Sequence, residues 1–297
     1  MSKHNLNENN IKRRNFYLGN ILKADINNIE LVGDPKITSN VQPASVYDNA
    51  LRYLLIKTNN HGKKLNYKMG DVQTNHRNPT MLVKNRTQNS NDGVILRCLE
   101  FYRHWDNYYL KPGDMPFENK KNCVIWRGAS TGQPSRPVNR FTLVEKWFNK
   151  SKYIDVGFSN ICQGKGIYRK YSKNKRIDKS EILKNKYIIS VEGNDKDSGI
   201  NWKLNSNSLV LMSKPRTASW LMETTLIPNY HYILLKDDFS DLEEKYLWCE
   251  RNQDKCKEII KNAHIFMSQF KNKENEEQLE IDVINTYFEI LKKNKNK

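Results

Sequence analysis

The chain has no cysteine framework. Its five cysteines, Cys98, Cys123, Cys162, Cys249 and Cys256, are scattered and include no CxxC pair. That spacing excludes a disulfide-stapled scaffold and fits a reducing compartment. No apolar run approaches the roughly 20 residues of a membrane span. Residues 1–14 are polar and lack the apolar centre of a signal peptide. The expectation is a cytoplasmic protein, with peripheral contact at an anionic membrane left open. No repeat period is visible. Acidic residues are the minority, Asp+Glu 33 against Lys+Arg 50, and the net charge of +17 favours polyanionic partners. One reading of that charge is a nucleic-acid-binding protein without catalytic activity. No basic helix, zinc finger or aromatic RNA-recognition motif supports it, and the basic residues are spread along the chain, so no nucleic-acid partner is expected.

An apolar fraction of 37%, with six Trp, fifteen Tyr and ten Phe in 297 residues, is enough for real cores in two modest domains or one large one. The spacing predicts a helix over 45–56, capped by Ser45, and strands at 65–69, 80–83 and 94–97. Lys111-Pro-Gly-Asp-Met-Pro116 is the clearest breaker, and a domain boundary is expected there. Beyond it, apolar strands at 124–126, 152–156, 187–191, 209–212 and 232–235 alternate with helices. Residues 163–179 read as an exposed loop or short helix, and Ser240-Asp-Leu-Glu243 reads as a capping box. Short, almost wholly apolar strands between helices imply an α/β fold with a parallel sheet covered on both faces.

The stretch from Asn122 to Arg140 organises this half. An apolar strand, Val124 to Trp126, runs into the small-residue loop Gly128-Ala-Ser-Thr-Gly132, and an amphipathic helix follows over 141–148. Strand, small-residue loop and helix is the layout of a phosphate-binding turn, and Arg127 and Arg140 at its two ends match phosphate oxygens. An ordinary βα connection with solvated arginines satisfies the same pattern.

The chain resembles glycosyltransferase family 90, the family of protein O-glucosyltransferases, capsule-associated xylosyltransferases and bacterial lipopolysaccharide-type enzymes. The residues that carry the resemblance are Gly70-Asp71 with Pro79 to Lys84; Trp126-Arg127-Gly128 with Thr131-Gly132 and Arg140; Lys186-Tyr187 through Glu192-Gly193 to Trp202-Lys203; and Trp220 to Glu223 leading to Pro228 to Tyr232 and Asp238 to Leu242. The resemblance implies a GT-B arrangement, two Rossmann-like domains facing across a cleft. Its expected division is a flexible basic arm over 1–14, an acceptor-side domain over 15–116, a nucleotide-sugar domain over 117–272, and a C-terminal helix with a lysine-rich tail over 273–297. It implies inverting transfer from a nucleotide-sugar, with a UDP-sugar expected, to a hydroxyl of a cell-surface glycan such as lipopolysaccharide or capsule. The acceptor is expected to be a glycan or lipid-linked glycan, and no cofactor or bound metal is expected.

Inverting transfer needs a carboxylate to take the acceptor proton and positive charge or N–H donors for the leaving diphosphate. The resemblance aligns Asp71 with the catalytic base; a turn-capping aspartate after Gly70 is the alternative. Arg127, Gly128, Ser130, Thr131, Gly132 and Arg140 are the expected donor-binding group, joined by Ser198, Asn201 and Lys203. Asn201 stands near the place of an arginine in the eukaryotic relatives, in a stretch one residue longer. Glu223 is expected at the donor ribose, or as an exposed helix glutamate. Asp195-Lys-Asp197 is a DxD, discounted here as a metal motif because such triplets recur in charged chains. His104 and His231 lack partners at metal-ligand spacing. Cys249, Cys256, Trp202 and Trp220 read as core.

Overall fold

The computed structural model describes residues 7–27, 29–31, 46–71, 75–97, 114–173 and 177–295. Ser45, Cys98, His104 and residues 111–113 of the breaker lie outside them. In chain order the elements are helices α1 (Glu8–Leu18) and α2 (Val46–Lys57), and strands β1 (Asn66–Lys68), β2 (Met81–Val83), β3 (Arg86–Thr87), β4 (Val94–Ile95) and β5 (Lys121–Ala129). Next come α3 (Arg140–Trp147), β6 (Ile154–Asn160), α4 (Lys179–Leu183), β7 (Asn185–Ile189), α5 (Ile200–Leu204) and β8 (Leu209–Met212). The last are β9 (Thr217–Ala218), β10 (Ile233–Leu234), α6 (Leu242–Arg251), α7 (Gln253–Ser268) and α8 (Lys273–Lys295). No helix among the described residues is long and apolar enough to cross a membrane.

The chain divides into two compact units. One comprises Met1–Tyr102, Thr217–Met222 and Phe270–Lys297; the other comprises Arg103–Arg216 and Glu223–Gln269. In the first, β1, β2 and β4 form a parallel sheet, and β3 pairs antiparallel with β9. The arm expected over 1–14 is, from Glu8 onward, the start of α1, whose Asn7 cap accepts from Asn10 N at 2.8 Å. Arg13 is buried, not solvated. It forms a two-pronged pair with Glu276 of α8, 2.6 and 2.7 Å, and Glu276 also accepts from Trp220 Nε1 at 2.6 Å. Tyr17 stacks on Trp220 with ring centroids 3.9 Å apart. A buried charge needs such a partner, so α1, the 217–222 segment and α8 are tied into one body. The C-terminal helix clusters with this unit, and the lysine run after 291 continues α8 as far as Lys295.

The second unit is built on a five-stranded parallel sheet in the order β10-β8-β7-β5-β6. Every residue of β7 and β8 is buried, as the apolar runs require of strands covered on both faces. Alternation splits β5: Val124 and Trp126 join the large core with Phe141, Leu143 and Val144 of α3, while Ile125 packs with Ile182, Ile188 and Trp202. Cys249 and Cys256 lie in the large core. The segment read as an exposed loop or short helix holds a 3₁₀ turn, Gly166–Tyr171. The capping box does not form. Asp241 is the N-cap of α6 and makes no side-chain cap bond, because the Glu243 carboxylate accepts from Ser151 Oγ at 2.9 Å and Asp241 Oδ1 from Lys236 N at 3.0 Å.

Taken in chain order, the strands of this sheet lie 2-1-3-4-5. The order reverses between β5 and β7, and the carboxyl ends of such strands are where ligands of open α/β sheets bind.

Candidate active site

Two loops leave the carboxyl ends of β5 and β7, and they are stitched to each other. Arg140, the first residue of α3, donates Nη1 to Ala129 O (2.9 Å) and Thr131 Oγ1 (2.7 Å), and Nε and Nη2 to Val191 O (3.3 and 3.1 Å). Burial lowers its guanidinium pKa, and Asp197 and Asp195 oppose that effect. Arg136 donates to Gly193 O and Asn194 O (2.9 and 2.8 Å), and Gly132 N donates to Asn194 Oδ1 (2.9 Å). Gly132 and Gly193 permit this approach. Gly132 has φ +94°, and a Cβ on it would lie 2.7 Å from Gly193 O; a Cβ on Gly193 would lie 2.6 Å from Thr131 Oγ1.

The groups expected to cradle phosphate are therefore engaged inside the protein. Ser130 Oγ accepts from Cys162 N (2.8 Å) and donates to Cys162 O (3.1 Å). Gly128 lies within β5, where a Cβ would meet the Trp126 ring at 2.7 Å. Arg127 reaches β6 instead of the loop: Nη1 donates to Trp126 O and Asp155 O at 2.9 Å each, and Nη2 meets Asp155 Oδ2 at 2.5 Å. Neither a solvated pair of arginines nor two cations presented to an open loop describes the geometry.

The second expected group lies beyond β7. Ser198 is exposed, and Asn201 is buried on α5 with Oδ1 accepting from Trp202 N at 2.8 Å. Lys203 Nζ pairs with the Asp197 carboxylate and donates to Ile189 O at 3.1 Å. Asp197 also accepts from Ser190 Oγ (2.7 Å) and Gly199 N (2.9 Å). Burial alone would raise its pKa; Lys203 and Arg140 beside it outweigh burial and hold it down at about 2. Asp197 was legible only as half of a DxD. No group of three or more His, Cys, Asp or Glu side chains that could hold a metal occurs among the described residues.

A shallow, open hollow adjoins these loops; its enclosed volume is about 30 Å³, well short of the roughly 300–1,000 Å³ of closed small-molecule sites. Its walls are residues 190–192 after β7, Met212 at the end of β8 with residues 213–216 after it, and Val138, Lys196, Asp197, Ile200 and Glu223. Glu223 is not an exposed helix glutamate: it opens a short 3₁₀ turn, is 2% exposed, and meets Lys196 Nζ at 3.1 Å. The Glu192 carboxylate accepts from Arg216 N (2.9 Å), and the Arg216 fork meets Asp237 at 2.7 Å. Lys196, Lys214 and Arg216 are wall residues that the sequence did not single out.

Asp71 belongs to the first unit. It follows β1 and Gly70, and its carboxylate, 39% exposed, lies 2.7 Å from Nζ of Lys84, which is 2% exposed. Outside the catalytic question, His231 Nδ1 accepts from Ile227 N at 2.8 Å within its own turn.

The chain matches the family described as Glycosyl transferase family 90 over residues 109–297. It is 34% identical to the O-glucosyltransferase LpsA of Dichelobacter nodosus, over 84% of this chain and 74% of LpsA. The chain belongs to glycosyl transferase family 90. It is accordingly a glycosyltransferase, using a sugar donor and a glycan acceptor. It is also 25% identical to human Protein O-glucosyltransferase 3, over 50% of this chain and 28% of that protein. Uncharacterized protein 179R of Invertebrate iridescent virus 6 is 27% identical over 63% of this chain and 18% of its own length. The match to family 90 contains every element from β5 to α7, the stitched loops and the hollow.

Proposed function

We propose that this family 90 enzyme moves a sugar, with inversion, from a UDP-sugar to a hydroxyl of a cell-surface glycan such as lipopolysaccharide or capsule. The observation that carries the reading is the hollow at the carboxyl ends of β7 and β8, with a buried carboxylate, Glu223, in its wall. Nucleotides bind at that end of parallel sheets, and a carboxylate there suits the two ribose hydroxyls. The similarity to LpsA, an O-glucosyltransferase by its name, supports transfer to oxygen.

In this reading the units divide the labour of a GT-B enzyme: the second holds the donor and the first supplies Asp71. The Asp71 carboxylate takes the proton of the acceptor hydroxyl while that oxygen attacks the anomeric carbon. The bond from that carbon to the diphosphate breaks, and the nucleoside diphosphate leaves with the electron pair. Lysine charge, with no metal or other cofactor, meets the charge that develops on it. Thr131, Gly132, Arg140 and Lys203 act by shaping the loops, and the bonds they already make support that role. The net charge of +17 suits an anionic acceptor and peripheral contact with an anionic cytoplasmic membrane face.

The test is a thermal-unfolding and hydrolysis screen of sugar nucleotides, with a short RNA beside them. A UDP-sugar is expected to raise the melting temperature and to be hydrolysed slowly without acceptor. Stabilisation by RNA alone, with no sugar nucleotide turned over, would instead favour nucleic-acid binding.

A further inference from the structure

We infer that Lys214 is the cation that receives the donor's diphosphate. This rests on the donor reading of the hollow and adds a residue to it that neither the family motifs nor the central loop suggested. The first argument is an inventory of charge. The three cations expected at the diphosphate are engaged elsewhere: Arg127 with Asp155, Arg140 with the carbonyls of Ala129 and Val191, and Lys203 with Asp197. Inside the hollow each carboxylate already has a partner. Glu223 holds Lys196, Asp197 holds Lys203, and Glu192 takes the N–H of Arg216. Lys214 lines the same hollow, is exposed, and forms no hydrogen bond or ion pair with any described residue. An anion entering here meets an ammonium that need not first be released from a partner.

The second argument is the backbone beneath it. Lys214 lies just past the end of β8, at the carboxyl end of a parallel strand. It precedes Pro215, which is buried, and a residue before proline is held in extended conformations. On one side, Ser213 Oγ donates to Lys236 O at 3.2 Å; on the other, Arg216 is held by Glu192 and Asp237. The side chain can move while its base cannot, which is the preorganisation a charge-recognition site needs. A single lysine acts as a compact point charge suited to phosphate oxygens.

Calorimetric titration of wild type, Lys214→Gln and Lys214→Arg with UDP and with uridine tests this. Wild type is expected to prefer UDP. Lys214→Gln should lose about tenfold of that preference, the scale of one charge-assisted bond, with uridine affinity unchanged; Lys214→Arg should keep most of it. The position is exposed, so an unchanged melting temperature is expected and checked alongside. If Lys214→Gln retains the wild-type preference, the assignment is wrong while the donor reading stands. If wild type binds neither UDP nor uridine, the donor reading falls and this assignment with it.

Discussion

Asp71 and Lys84 form an ion pair of 2.7 Å in which the cation is almost wholly buried and the carboxylate faces outward. A buried ammonium held by an outward-facing acid orients that acid without covering it. The first prediction follows from this pair. Asp71→Asn should reduce sugar transfer by roughly 10²–10⁴-fold, the usual contribution of a positioned general base, while UDP affinity stays at the wild-type value. Transfer rates beside a UDP titration check it; normal turnover by the variant would remove Asp71 from the reaction.

Asp197 predicts a pH dependence. Its pKa in the folded protein is about 2 against an ordinary 3.8. A depressed carboxylate contributes stability that is fully present above the unfolded value and is lost as pH falls through the folded one. Asp197→Asn should therefore be less stable than wild type at pH 7, by on the order of 2 kcal/mol. The gap should begin to narrow below about pH 4 and close toward pH 2. Urea melts at pH 7, 5 and 3.5 read this directly, and a gap that widens on acidification contradicts the pairing.

Gly132 tests the stitched loops. A methyl group there meets backbone, Gly193 O at 2.7 Å, and the residue has φ +94°, so Gly132→Ala cannot be accommodated by a side-chain shift. The loop after β7 carries part of the hollow's wall, so the expected result is a donor KM raised roughly tenfold to a hundredfold. Steady-state kinetics at saturating acceptor, with circular dichroism to verify the fold, gives the answer. An unchanged donor KM would mean the loops do not set the wall.

The Arg13–Glu276 pair predicts an effect on stability. Removing one partner leaves a buried charge alone, so Glu276→Gln should cost about 3–5 kcal/mol, whereas replacing both with apolar residues of similar volume should recover much of the loss. Trp220 Nε1 donates to the same carboxylate, so tryptophan emission follows the change. If Glu276→Gln melts like wild type, the pair does not hold α1 to α8.

Much of the second unit was legible in the sequence. The runs at 187–191 and 209–212 had to be strands buried on both faces, because apart from Ser190 every side chain in them is aliphatic, aromatic or Met. The strand–loop–helix layout around Gly128 was legible for the same reason: apolar periodicity and small residues are local properties. The start of α1 was not, because Asn10 and Arg13 look solvated until Asn275 and Glu276, more than 260 positions away, are set beside them. The capping box failed similarly, since Ser151, 92 residues upstream, takes Glu243.

What the sequence determined by itself was the α/β class, the apolar faces and the ordered residues that resemble family 90, all of which depend on composition and near-neighbour spacing. Tertiary structure alone decided which charges are available. Arg140 finds its acceptor 51 residues away at Val191, brought there by the register of β5 against β7. Charge is written in the sequence, but a buried charge must be satisfied by whatever packing places beside it.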